Sequence, residues 1–213
     1  MRLYLSSFRL GNRPDVMVNL LDGKKRAAII MNAGDLSSPE KRAASYLMEF
    51  ELLTGLGLDP EEIDLRDYFG KEETLRRRLE SFDLVWVRGG NCFVLRRAFR
   101  QSGADEIFHD LLHRDAIVYA GYSAGIDMLV TSMRGFENVD DPHAVPHGYD
   151  PEIIWDGLGI LPYAVAPHYR SDHPESAAVE ESVQYLIGHH ILFMALRDGE
   201  AIVVDGDHEF VIG

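Results

Sequence analysis

Short apolar runs alternate with longer amphipathic stretches along nearly the whole chain. Arg2 to Ser6, Ala27 to Met31, Asp83 to Val87 and Ala116 to Ala120 have the length and composition of buried strands, and Ile63-Asp64-Leu65 reads as a shorter one. Between them lie segments with apolar residues at helical spacing. Pro39 to Leu56 is the clearest, with Leu47, Phe50 and Leu53 as its apolar positions and Ser38 as its N-cap. Glu72 to Phe82, Phe93 to Arg100 and Asp105 to Arg114 read the same way, and a further helix is expected from just beyond Ser123 to about Met133. A loop-rich stretch from Arg134 to Leu161 leads to late strands at Tyr163 to Ala166, Ile191 to Leu196, Ala201 to Val204 and Phe210 to Ile212, with a helix over Glu175 to Ile187.

Short apolar strands separated by helices are buried on both faces, so the pattern predicts an α/β fold with a mainly parallel sheet between helical layers. The closing strands, joined by Asp198-Gly199 and Asp205-Gly206-Asp207, predict an antiparallel hairpin at one end. No repeat, low-complexity tract or linker divides residues 1–213, which read as a single domain. In such sheets, ligand and catalytic groups gather at the carboxyl ends of the strands. Two glycine-rich breaks fall at such ends: Arg88-Gly89-Gly90-Asn91 after Val87, and Gly121-Tyr122-Ser123-Ala124-Gly125 after Ala120.

Charge narrows the partners. With 35 acidic against 21 basic residues the formal net charge is −14, which repels phosphate backbones and anionic lipid; neither nucleic acid nor a membrane is an expected partner. Cys92 is the one cysteine, so no intrachain disulfide can form. The N-terminus lacks the apolar run of a signal peptide, no stretch is long enough to span a bilayer, and a cytoplasmic protein is expected.

The second break has the Gly-x-Ser-x-Gly form of a nucleophile elbow, with a buried strand before it and a helix after it. Small residues at Gly121, Ala124 and Gly125 admit a sharp turn, and the helix N-terminus stabilises negative charge beside Ser123. The plain alternative is a serine that merely caps the helix. An acyl-transfer serine needs a base and an oxyanion hole. Gly89-Gly90-Asn91 offers backbone N–H groups for the hole. Of the nine histidines, His168 follows a strand and Pro167 and so emerges at a strand's carboxyl end, which makes it the leading base. His109 and His113 suit a polar helix face, His143 and His147 a solvated loop, and His189-His190 a helix end. The group that orients the imidazole is open among Asp140, Asp141 and Asp198. Cys92, at a helix start, is a lesser nucleophile candidate.

Together, Val87-Arg88-Gly89-Gly90-Asn91-Cys92-Phe93, Gly121-Tyr122-Ser123-Ala124-Gly125 and Ala166-Pro167-His168-Tyr169 resemble, in order and approximate spacing, the motifs of the peptidase E family of serine peptidases. That family includes aspartyl dipeptidase and is related to cyanophycinase. The resemblance implies a three-layer α/β/α sandwich of the class I glutamine amidotransferase type, with serine replacing the amidotransferase cysteine. It implies Ser123 as nucleophile, His168 as general base, and Gly90 near the oxyanion hole; Ala124, as the residue after the nucleophile, is expected to add a second N–H there. It sets the acidic partner either in the loop after the elbow helix, at Asp140 or Asp141, or in the late strand region at Asp198, one carbon shorter than the glutamate of relatives. The family's dipeptidase cleaves dipeptides that begin with aspartate, aided by an arginine in the helix after the histidine. Asp172 to Val179 contains none; Arg170 is the nearest, and it and Asn91 are the expected substrate contacts. The implied partner is a small peptide, with self-association left open. Nothing in the sequence demands a metal or an organic cofactor.

Two rival readings share these residues. An α/β-hydrolase esterase has the same elbow, but its late histidine would be His208, set in an Asp-Gly-Asp-His turn. A non-enzymatic binding module on the same fold is the other, since a fold does not fix a function.

Overall fold

The computed structural model describes residues 1–213. Its strands are β1 (Arg2–Ser6), β2 (Arg26–Ile30), β3 (Asp59–Glu62), β4 (Leu84–Val87), β5 (Val118–Tyr122), β6 (Ala164–Ala166), β7 (Phe193–Ala195), β8 (Ala201–Asp205) and β9 (His208–Ile212). Seven of them form one sheet in the order β3-β2-β4-β5-β1-β8-β9. The first five in that order run parallel, β8 is antiparallel to β1, and β9 closes the edge as an antiparallel hairpin with β8. The helices are α1 (Pro14–Asn19), α2 (Pro39–Gly55), α3 (Glu72–Leu79), α4 (Cys92–Ser102), α5 (Ala104–His113), α6 (Ala124–Asp127) and α7 (Ser176–Gly188). None is long and apolar enough to cross a membrane.

Alternation along each strand sorts its side chains into two cores. Leu3, Leu5, Ile30, Val85, Val87 and Tyr119 belong to one, with residues of α3, α4 and α5. Tyr4, Ile29, Leu84, Trp86, Val118 and Tyr122 belong to the other, which takes in Met17 of α1 and Leu53 of α2. This is the α/β/α arrangement expected from the apolar runs.

Four expectations need correction. The third strand is Asp59–Glu62, just before Ile63-Asp64-Leu65. It is an edge strand with alternate positions exposed, so the apolar signal misses it. The helix after Ser123 ends at Asp127 and does not reach Met133. Beyond it, the carbonyls of Met128, Leu129, Val130 and Thr131 accept from the N–H groups of Leu158, Leu161, Gly159 and Gly157, so a returning loop takes the bonds a helix would have used. The strand Phe193–Ala195 is no part of the closing hairpin; it pairs in parallel with β6 in a separate two-stranded sheet, and Asp198-Gly199 connects that sheet to β8. On α2, Leu47 is exposed, while Glu49 and Leu53 are buried and Tyr46 and Phe50 pack beside them, so the inward face runs i, i+3, i+4, i+7 from Tyr46.

Glu49 is the unexpected member of that face, a fully buried carboxylate. It accepts from Trp86 Nε1 of β4 at 2.9 Å and from the Tyr122 hydroxyl of β5 at 2.7 Å, and Arg88 Nε lies 3.6 Å away. One α2 side chain thereby ties together the carboxyl ends of the two central strands. Burial, foremost, and the Glu49 charge push the Tyr122 phenol up, so it stays a donor. Glu49→Ala strands two buried donors and a guanidinium and is expected to cost about 3–5 kcal/mol in urea unfolding; Glu49→Gln, which keeps an acceptor, should cost about 1–2 kcal/mol.

Candidate active site

Ser123 sits between the last residue of β5 and the first of α6, with φ 50° and ψ −121°. That backbone is a strained one for a residue with a side chain, and it persists only where the surroundings enforce it. Crowding at the turn enforces it here. A Cβ on Gly121 would lie 2.6 Å from the Val87 carbonyl oxygen, and one on Gly125 would overlap the same atom, so β4 and the turn approach at a distance only glycine tolerates. The Ser123 carbonyl accepts from Ile126 N–H at 2.7 Å, which starts the helix. Its side chain makes no capping hydrogen bond. The plain N-cap reading is therefore excluded, and the hydroxyl is left free at the top of the sheet.

His168 follows β6 in a left-handed conformation, φ 60°, and is 1% exposed. Its Nδ1 lies 2.7 Å from Asp198 Oδ1, which makes Nδ1 the protonated nitrogen and leaves Nε2 as the acceptor. Two serines brace this pair. Ser7, at the end of β1, accepts the His168 backbone N–H at 2.8 Å and donates to Asp198 Oδ1 at 2.9 Å; Ser171 Oγ accepts the Asp198 N–H at 2.8 Å. His173 stacks on the imidazole with centroids 3.7 Å apart, and Phe8 meets the His168 ring edge-on. Burial pushes the His168 pKa below its ordinary 6.5, outweighing the opposing pull of Asp198. The imidazole is thus neutral at pH 7 and able to accept a proton.

The glycine-rich turn after β4 closes the third side. Gly90 has φ 146° and a Cβ there would lie 2.6 Å from the Ala33 carbonyl oxygen, while a Cβ on Gly89 would lie 2.9 Å from that of Ser123. The Gly90 N–H meets no acceptor in the backbone pattern, and that of Ala124, as the first of α6, has none within its helix. Two cavities meet at Ser123 and His168. One is an open groove of about 250 Å³, walled by Phe8, Arg9, Arg88, Gly90, His173 and Glu175. The other is a cavity of about 20 Å³ beneath the elbow, reached by Asp127, Asp140 and Glu175.

The remaining candidates fall elsewhere. Asp140 accepts the Cys92 N–H at 2.8 Å and does not touch His168. Asp141 accepts from His143 N–H in a local turn. Asn91 spends its side chain as the N-cap of α4, accepting from Val94 N–H, and donates to the Asp141 carbonyl. Arg170 points away from both cavities, paired with Glu180 and lying over Tyr169. His208 is exposed on the edge strand β9. Cys92 is fully buried, and burial raises its thiol well above the usual range, which makes it inert. His168, His173 and Glu175 could offer three metal-ligand atoms within 4.8 Å of one another, but the two imidazole planes lie 7° apart, so their in-plane lone pairs run side by side instead of converging. Ser7, Asp127, Ser171, His173 and Glu175 are site residues the sequence reading missed. Proximity to Ser123 and His168 in sequence was the available signal for four of them; for Ser7 it was only its place at a strand end.

The chain is similar to known proteins over much of its length. The family model described as "Peptidase family S51" matches residues 12–212. Peptidase E of Streptomyces coelicolor is 30% identical over 141 residues, covering 64% of this chain and 54% of that protein. Peptidase E of Salmonella arizonae is 28% identical over 160 residues, covering 75% and 62%. The chain therefore matches between about half and three-fifths of the length of these curated relatives. A solved structure of a peptidase from an acI-B1 Actinobacterium has a TM-score of 0.74 at 18% identity, covering 100% of this chain and 87% of that one. A Listeria monocytogenes EGD-e structure assigned to peptidase E has a TM-score of 0.78 at 21% identity, covering 99% and 97%.

The buried Asp140 carries a measurable consequence. Burial, chiefly, raises its pKa from 3.8 to about 6. A carboxyl with a raised folded pKa stabilises the fold fully below its unfolded pKa and loses that contribution as pH rises through the folded one. Asp140→Asn cannot ionise and can still accept from Cys92. It is expected to be more stable than the parent by on the order of 2 kcal/mol near pH 8, with the difference vanishing near pH 4, read by urea unfolding at both.

Proposed function

The chain belongs to peptidase family S51, and from that premise we propose that it is a serine hydrolase of small peptides. Ser123 is the nucleophile, His168 the general base and acid, and Asp198 the carboxylate that holds the imidazole. The observation that carries this reading is the pairing of a strained, uncapped Ser123 with a buried His168 whose Nδ1 is held by Asp198 at 2.7 Å. His168 Nε2 removes the hydroxyl proton as Ser123 Oγ attacks the peptide carbonyl carbon. The resulting oxyanion is stabilised by the N–H groups of Gly90 and Ala124, aided by the start of α6. Collapse breaks the C–N bond, His168 gives its proton to the leaving amine, and an acyl-enzyme remains. Water, deprotonated by the same imidazole, then releases the acid and restores Ser123.

The acidic partner is taken as Asp198 and not Asp140 or Asp141, because the family's two alternative positions differ in one respect that matters: contact with Nδ1. Substrate contacts are assigned to the two cavities in place of Asn91 and Arg170, whose polar groups are engaged elsewhere. The open groove, with Arg9 in its wall, suits the leaving half of a short peptide and its free carboxylate. Residues 1–213 act as one peptidase unit, and a cytoplasmic location remains the reading favoured by the single cysteine and acidic surface.

Dipeptide hydrolysis is the test. Ser123→Ala should lose at least about 10⁴-fold in kcat while melting within a few degrees of the parent, and Asp198→Asn should lose about 10²–10⁴-fold. Undiminished turnover in Ser123→Ala would reject the assignment. The pH profile has a defined sign as well. His168 must be neutral to act as base, and burial lowers its pKa. For an uncharged substrate, kcat/KM should hold as pH falls from about 8 to 6.5 and decline only below that.

A further inference from the structure

The Gly90 N–H, assigned above to the oxyanion, belongs to a peptide that the backbone itself leaves loose. On one side the Arg88 N–H donates to the Ile30 carbonyl, and on the other the Asn91 N–H donates to the Ala33 carbonyl, both at 3.0 Å. Between these two anchors, neither the Gly89 carbonyl nor the Gly90 N–H takes part in a backbone hydrogen bond. Glycine on both sides of that peptide removes the side-chain clashes that would oppose its turning over. A planar trans peptide carries its C=O and N–H in opposite directions, and no peptide of the chain is cis. Turned over, the Gly89–Gly90 peptide would present its oxygen where its N–H stands. An oxygen there repels an oxyanion instead of stabilising it.

One side chain opposes that turn. Arg88 Nη1 donates to the Gly89 carbonyl oxygen at 2.7 Å, a charge-assisted bond to the back of the same peptide. The guanidinium is held in turn, with Nε 3.6 Å from Oε1 of the buried Glu49 and Nη2 3.5 Å from Ser45 Oγ. Nε is buried and has no hydrogen bond of its own, so the Glu49 charge is what balances it. Resting on the hydrolase reading above, we propose that Arg88 is a positioning residue that clamps the Gly89–Gly90 peptide and keeps the Gly90 N–H turned toward the oxyanion. Glu49, already bonded to Trp86 and Tyr122, thereby anchors the donor side of the site as well. Arg88 also lines the open groove, where a guanidinium would ordinarily be read as a substrate contact. The two roles separate in kinetics: a substrate contact acts on KM, whereas a clamp on the oxyanion donor acts on kcat.

Crystal structures and dipeptide kinetics of two variants test this. In Arg88→Met the Gly89 carbonyl should be found turned toward Ser123, wholly or in part. Loss of one oxyanion donor costs about 10²–10³-fold in kcat, so Arg88→Met should lose at least about tenfold in kcat with KM within about threefold of the parent. Arg88→Lys keeps a charge beside Glu49 without the planar fork that reaches Glu49, Ser45 and Gly89 together. It carries the same comparison should Arg88→Met not fold, with the same turn of the peptide and a kcat loss of at least about tenfold expected. A parent-like kcat, a reduced kcat with the peptide unturned, or a loss carried by KM overturns the proposal. The parent's own activity is judged separately. An active parent whose variants keep their kcat sinks the clamp alone. A parent that cleaves no dipeptide sinks the hydrolase reading, and the orientation of the Gly89 carbonyl in the variants still decides whether Arg88 holds it.

Discussion

The site depends on how closely two strand ends approach. The Val87 carbonyl oxygen leaves no space for a side chain at Gly121 or Gly125, so β5 can turn into α6 only through a pinched elbow. That pinch holds Ser123 at a positive φ, lifts its hydroxyl off the helix N-terminus, and brings the Gly89-Gly90 turn of β4 against it. Glu49 reinforces the same approach from below by bonding both Trp86 of β4 and Tyr122 of β5. The proposed nucleophile and oxyanion donors are thus set by one contact between adjacent strands, in the tight turns that follow them.

The proposed base is supported from a different part of the chain. His168 arrives from β6, Asp198 from the turn after β7, and Ser7 from the end of β1. Ser7 is the point where the small sheet is fastened to the large one at the site. A single hydroxyl fixes the His168 backbone and one oxygen of its carboxylate together. Stacked His173 and edge-on Phe8 exclude water from the imidazole, which is the burial that keeps it neutral. The two flanks of the site then differ in charge, with Arg9 and Arg88 on the groove side and Asp127 and Asp140 on the enclosed side.

Much of this was legible in the chain and some was not, for physical reasons. The parallel core strands announce themselves because they are buried on both faces, as at Val85 and Trp86. The edge strand Asp59–Glu62 does not, because half of it faces water. Ser123 and His168 were visible because a motif and a strand end are local features. Which aspartate meets the imidazole was not, since Asp140 and Asp198 are equally ordinary turn residues until the fold brings one of them to Nδ1. Residues 128–133 were read as helix from their apolar character, yet the carbonyls of Met128 to Thr131 bond to a loop some thirty residues on, which no local pattern reveals. Asp127 was lost inside that misread helix.

The central claim is that the pinched Ser123 is a nucleophile activated by His168. Its most direct test is reaction of the protein with a fluorophosphonate, followed by intact-mass and peptide-mass analysis. A single adduct on the peptide carrying Ser123, slowing as pH falls below about 6.5, is the predicted result. An unmodified Ser123 peptide in folded protein at about pH 8, or labelling confined to another residue, would contradict it.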